Sequence, residues 1–229
     1  MKTKLLATSV AAFSLHLLFG GSAAFAQSNL TARQQAALAA IKKVGGKVDF
    51  RRSGIADTVN FDQTSVSDSD LMHLKELPTL DTISLRFATN VTGAGFEHFK
   101  GLTNLANLYL PAAGVTDAGL EPLKNVPSLV NLYLREVKIS DAGLAHLSGL
   151  TNLRILYMDK TRISDAGLEH LKGLKLGGLY LQHTAITGAG LEHLAGMSSL
   201  KELNLSNTKV TLEGVKRLQA RLPDCKITF

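Results

Sequence analysis

Tryptophan is absent from this chain of 229 residues, and cysteine occurs once, at Cys225. A lone cysteine forms no internal disulfide, so the fold must rest on packing. No glycine-rich phosphate loop follows a strand pattern, and neither a nucleophile elbow nor a metal motif is present. The frequent aspartates recur instead at the starts of helical phrases. These absences point to a chain that is not an enzyme and carries no cofactor. There is no block of like charge either. The formal net charge is +6 with both signs interleaved. Setting aside Lys2 and Lys4 leaves +4 of that +6, a balance that favours solubility over nucleic-acid binding. The one long apolar run, Leu5 to Phe19, follows Lys2 and Lys4 and is interrupted at Gly20, Gly21 and Ser22. That is too short to span a bilayer. With Ala24-Phe25-Ala26 before Gln27 it reads as a signal peptide over 1–26, cleaved after Ala26. No cysteine stands near the cut to take a lipid, so an exported protein without a membrane anchor, periplasmic or secreted, is expected.

What the chain has is a repeat. The phrases Asn107–Leu110, Asn131–Leu134, Ile155–Met158 and Gly178–Leu181 hold all four tyrosines. Aligning the central apolar residues Val59, Ile83, Leu108, Leu132, Leu156, Leu179 and Leu203 gives spacings of 24, 25, 24, 24, 23 and 24. A fixed period of this size marks a solenoid. Each unit reads L-x-x-L-x-L, a short polar stretch, then [VI]-[ST]-[DG]-A-G-L-x-x-L-x-x-L. In the first half Leu132 and Leu134 face one way and Tyr133 the other, as in a strand. In the second, Leu144, Leu147 and Leu150 recur every three residues, as in a helix or 3₁₀ turn. Ser140 is placed as its N-cap, with Asp141 at the positive end of the helix. No unit buries its leucines alone; stacked units share one apolar core.

The expected organisation is an N-terminal helix–strand cap over 27–55, repeats over 56–222 and a cap strand over 223–229. Leu30, Ala37, Leu38, Ile41 and Val44 share one face of the first helix, which Gly45-Gly46 ends. "KVDF" is a leading strand, "RLPDCKITF" supplies the last one, and Cys225 packs there as a small hydrophobe.

The unit resembles a leucine-rich repeat. It is similar to the repeat class of F-box ubiquitin-ligase adaptors, which carries Cys where this chain has Thr64, Thr161, Thr184 and Thr208. It looks closer to exported leucine-rich repeat proteins of planctomycete-like bacteria, which often begin with a helix ending in Gly-Gly-Lys-Val, as at Gly45–Val48. The resemblance implies an α/β solenoid with a concave parallel sheet and convex helices, and a role in binding proteins. The ubiquitin role does not carry over to a chain that begins with an export signal.

With leucines inward, the middle strand position lines the outer face: Asn60, Ser84, Tyr109, Tyr133, Tyr157, Tyr180 and Asn204. Four tyrosines on adjacent strands about 4.8 Å apart can stack with an offset. One reading is duplication, a stacking ladder copied with its repeat. The other is a binding surface, favoured because neighbouring columns, which include Asn107 and Asn131, do not keep their copies. Arg135 is expected beside Asp159 and Glu136 beside Lys160, as lateral ion pairs or as a rim. Gly177-Gly178 marks either a tight turn or a notch beside Tyr180. Phe87 sits in a longer loop, and His183 lies near Tyr180. A second column, His73, His98, His146, His170 and His193, is read as solvated rather than metal-binding, since ligands one repeat apart do not converge. The expected function is an exported non-catalytic module whose tyrosine face binds a protein or peptide. The alternative is carbohydrate binding, with sugar rings stacking on the tyrosines. Partner identity and oligomeric state are not legible.

Overall fold

The computed structural model describes residues 30–51 and 54–229. The expected signal peptide lies outside the described residues. Thr31 opens the first helix, α1 (Ala32–Lys43), through a reciprocal capping box with Gln34. Its residues Ala37 and Ile41 are buried, and the chain leaves it at Gly45 with φ +85°.

Nine strands follow in one sheet whose spatial order is their chain order. They are β1 (Lys47–Phe50), β2 (Ala56–Asn60), β3 (Thr82–Ser84), β4 (Asn107–Tyr109), β5 (Asn131–Tyr133), β6 (Ile155–Tyr157), β7 (Gly178–Tyr180), β8 (Glu202–Asn204) and β9 (Lys226–Thr228). From β2 onward every pairing is parallel, with the central residues Val59, Ile83, Leu108, Leu132, Leu156, Leu179, Leu203 and Ile227 in lateral register. β9 therefore keeps the repeat phase although its sequence no longer reads as a full unit. β1 is the exception: it pairs with β2 antiparallel, with an irregularity between Asp49 and Phe50.

The return path of each repeat is mostly a 3₁₀ turn, at Asp68–Glu76, Ala94–Phe99, Ala118–Asn125 and Asp165–Leu171. Short α turns serve at α2 (Asp141–Ala145) and α3 (Leu191–Leu194), and a longer helix closes the array at α4 (Leu212–Arg221). Leucines every three residues suit the three-residue turn of the 3₁₀ helix better than the 3.6 of the α-helix. The core is continuous from Ile41 to Cys225, and its strand leucines and phenylalanines are almost wholly buried. Cys225 packs there as expected. This is an α/β leucine-rich repeat solenoid.

Neighbouring repeats are tied by a side-chain ladder as well as by the sheet. Asp117 accepts from the backbone N–H and hydroxyl of Ser140 in the next repeat, at 2.7 and 2.6 Å. Asp141 does the same for Ser164, and Asp165 for Thr187. Asp68 receives Thr92, Gly93 and Gly95. Ser140 does sit at the N-cap position in extended conformation, but its side chain makes no capping bond. Its hydroxyl donates instead to the Asp117 carboxylate, a charge-assisted bond. The ladder also explains the glycine of the repeat. A β-carbon at Gly143 would lie 2.5 Å from Asp117 Oδ1, and those at Gly167 and Gly190 would strike Asp141 and Asp165.

Candidate functional site

In a strand of three residues the central apolar side chain points inward and the two end residues point outward, so the outer face is a set of columns. Tyr109, Tyr133, Tyr157 and Tyr180 are laterally paired on β4 to β7. Their ring centroids are 4.2, 4.9 and 3.9 Å apart, with interplanar angles of 12°, 13° and 4°. Near-parallel rings this close can only lie face over face. The tyrosines form a pile whose inner faces are covered and whose edges and hydroxyls point outward. Each ring is half-buried by its neighbours. Burial pushes the Tyr133 hydroxyl above its ordinary value, helped by the hydroxyl of Tyr109. Burial likewise raises Tyr180, whose hydroxyl donates to Glu202 Oε2 at 2.5 Å. Both remain neutral donors at physiological pH. At the other end the Arg86 guanidinium caps the pile, 5.0 Å from the centroid of Tyr109.

Gly178 permits the tightest stacked pair. It is buried, and a β-carbon there would lie 3.2 Å from Tyr180 Cε2. The ring of Tyr180 therefore occupies the space beside Gly178; of the two sequence expectations, neither an open notch nor a bare turn describes it.

The flanking columns are polar. Asn131 Nδ2 donates to Asn107 Oδ1 at 2.7 Å, and Asn107 Nδ2 donates to Asp81 Oδ1 at 2.9 Å. This row ends where Ile155 replaces the amide on β6. On the other flank Arg135 Nε lies 3.1 Å from Asp159 Oδ2, and Lys160 Nζ lies 2.7 Å from Glu136 Oε1, as the sequence indicated. Asp159 is buried, and burial raises its carboxyl despite the opposing pull of Arg135. The Lys160 hydrogen bond holds Glu136 below the ordinary value.

A column that sequence reasoning missed borders this flank. Gln63, Phe87, Ala112, Glu136, Lys160, His183 and Asn207 all adopt positive φ, between 53° and 60°. Each is the fourth residue after the central apolar one, and none is glycine. The conformation costs on the order of 1 kcal/mol per residue. It persists in the first six because their N–H groups donate to the turn carbonyls of the next repeat, as Gln63 does to Arg86, Glu136 to Asp159 and His183 to Ser206. The turn turns their side chains onto the rim. Phe87 is thereby 51% exposed and covers no core. His183 is exposed, its Nε2 3.4 Å from Asn207 Nδ2. Only Asn207 carries the usual sequence mark of a left-handed residue.

Three buried side-chain polar atoms among the described residues have no hydrogen-bond partner: Arg86 Nε, Asn131 Oδ1 and Gln182 Oε1. All three belong to the outward face, on the columns that flank the pile. The histidine column lies on the other side of the molecule, each member half-buried. Among the described residues no three His, Cys, Asp or Glu side chains converge on a common point.

Comparison with known proteins agrees with the fold. A leucine-rich repeat family model matches residues 196–218. Internalin C2 from Listeria monocytogenes superposes with a TM-score of 0.54 at 23% identity, covering 84% of this chain and 92% of its own. The PEPR1–AtPEP1 structure superposes with a TM-score of 0.50 at 20% identity, covering 80% of this chain and 26% of that one. This chain thus spans about a quarter of the latter's length. No curated protein matches the sequence.

Proposed function

We propose that this protein is an exported, non-catalytic leucine-rich repeat module that binds a protein or peptide on the outer face of its sheet. The observation that carries the reading is the pile of four half-exposed tyrosines on that face, tyrosine being a residue that often anchors interfaces. Leucine-rich repeat folds commonly serve protein–protein interaction, which accords with this use. Carbohydrate stacking fits less well, since a sugar needs an open ring face and the inner faces of the pile are taken.

The test is capture of the natural partner by variants whose fold is confirmed by circular dichroism. Tyr133→Ala and Tyr157→Ala should each weaken binding by about thirtyfold, while His170→Ala on the opposite side should leave it unchanged. Retention of the partner by a folded double tyrosine variant would move the site off this face. Export rests on the N-terminal 26 residues and is tested by intact mass. The secreted form should begin at Gln27, and a chain still starting at Met1 would remove that part of the reading.

A further inference from the structure

We infer that the free edge of β1, at the N-terminal end of the solenoid, pairs with the same edge of a second copy of this chain. This surface is distinct from the tyrosine pile and independent of the binding proposed there. β1 is an outermost strand of the sheet, bonded to β2 alone. The hairpin shows which of its groups face outward. The Arg51 N–H turns inward to the Ile55 carbonyl, and backbone groups alternate in direction along an antiparallel strand. The irregularity in the pairing leaves Asp57 of β2 unmatched, so the extra residue is not on β1. Val48 and Phe50 therefore turn their N–H and C=O groups to the free edge.

Charge fixes the occupant. Lys47 and Asp49 lie across from Asn60 and Thr58 and are both exposed. A lysine on a short edge strand ordinarily guards it against pairing. Here a carboxylate stands two residues further along the same face. A second copy, running antiparallel about a two-fold axis at Val48, brings its Asp49 opposite Lys47 and its Lys47 opposite Asp49. Val48 then exchanges both backbone bonds with its counterpart, which makes the Lys–Asp positions the closer, non-hydrogen-bonded pairs. The neighbouring symmetric registers set Lys47 on Lys47 or Asp49 on Asp49, and like charges directly opposite destabilise. The edge at the far end lacks this pattern: β9 exposes Lys226 and Thr228, with no acid to answer the lysine.

Apolar surface beside the edge enlarges the contact. Among the described residues seven partly buried apolar side chains pack against the core, and four of them, Leu38, Val44, Val48 and Phe50, belong to this end. Between α1 and β1 an open groove of about 460 Å³ is lined by Leu38, Gly45, Gly46, Val48 and Phe50 together with two lysines. In the register above, Phe50 of the second copy lies opposite Gly46, whose missing side chain leaves room for the ring. A two-fold axis normal to the sheet sets both grooves on one side and both tyrosine piles on the other. A four-residue edge is small beside the ~1,200 Å² of a stable interface, so a dimer that dissociates in the micromolar range is expected.

The experiment is sedimentation equilibrium of the purified protein over about 1–200 µM, a range that spans a micromolar Kd. Each variant is first confirmed folded by circular dichroism. The wild type should pass from monomer to dimer and no further. Lys47→Asp and Asp49→Lys each set like charges opposite one another and should weaken the dimer about tenfold or more. The double variant Lys47→Asp/Asp49→Lys should recover it, and an equimolar mixture of the two single variants should form a heterodimer. Lys226→Asp on the β9 edge should change nothing. A wild type monomeric throughout would overturn the inference, as would single variants that dimerise like the wild type. Single variants that weaken the dimer without recovery in the double variant or the mixture would also overturn it, since opposed charges across the axis would not be the cause. Species that keep growing with concentration and shrink on Lys226→Asp would mean end-to-end pairing of β1 with β9, and would overturn the two-fold arrangement.

Discussion

Glycines at the start and at the end of the same helical phrase do different work. At Gly143 an added methyl meets the Asp117 carboxylate, whereas at Gly149 it meets nothing within 4 Å. Gly143→Ala should therefore cost about 1–3 kcal/mol in urea unfolding, since either the methyl or the inter-repeat bond must yield. Gly149→Ala should be neutral or stabilise by up to about 1 kcal/mol through a less flexible unfolded chain. Equal losses at the two positions would mean that the Asp–Ser ladder does not constrain the repeat. The recurrence of this glycine was plain in the sequence, but its cause was not. The cause is a carboxylate 26 residues earlier, and the Ser140 hydroxyl is drawn to that same group rather than to its own helix. The repeat's threonines are a gentler case: Thr161 and Thr184 each close their turn by donating to the carbonyl three residues back, at 2.7 and 2.6 Å.

At the scale of elements, alternation was enough to place Leu132 inward and Tyr133 outward, and to set Arg135 against Asp159 across β5 and β6. Those inferences need only the strand period and the parallel register. The left-handed turns escaped notice because sequence signals for positive φ are Gly and Asn, and only Asn207 offers one. The direction of β1 was equally hidden, since "KVDF" alternates identically whichever way it runs. That the rings stack by their faces follows from centroid distances, which no spacing in sequence supplies. The ladder between elements also has a pH consequence. Burial works to raise the Asp68 carboxyl, but hydrogen bonds from Gly95, Thr92 and Gly93 outweigh it, and the group sits below the ordinary carboxylate value. A depressed folded pKa gives stability that is present above the unfolded value of about 3.9 and is lost as pH falls through the folded one. Thermal melts from pH 6 to pH 2, roughly the window in which this carboxyl titrates, should show a steeper acid decline for the wild type than for Asp68→Asn. Parallel declines would remove Asp68 from the account.

For the whole molecule, the two ends are where a solenoid is vulnerable. α4 and β9 cover the last repeat with Val215, Leu218, Leu222 and Cys225, all nearly buried. A chain ending before Lys209 should expose Leu203 and Leu205 together with the free edge of β8, and should self-associate in size-exclusion chromatography. Deleting Phe229 alone, which is 53% exposed, should leave a monodisperse protein as it was. If the long truncation behaves like the short one, the cap is dispensable. The caps were visible in the sequence as an apolar helix and a terminal strand, while the full lateral register of β9 appeared only in the structure. That register has a consequence for how such a chain can grow. The central repeats share three attachments to their successors: a carboxylate that accepts from a Ser or Thr, a left-handed N–H that donates to a carbonyl, and a ring face for a ring. A duplicated stretch of about 24 residues inserted among the central repeats would meet familiar chemistry on both sides. Its strand would take its place in the sheet, and the pile would gain one tyrosine. The length of the outer face is thus countable in whole units, and a lineage could lengthen or shorten it by unequal crossing-over without redesigning any junction.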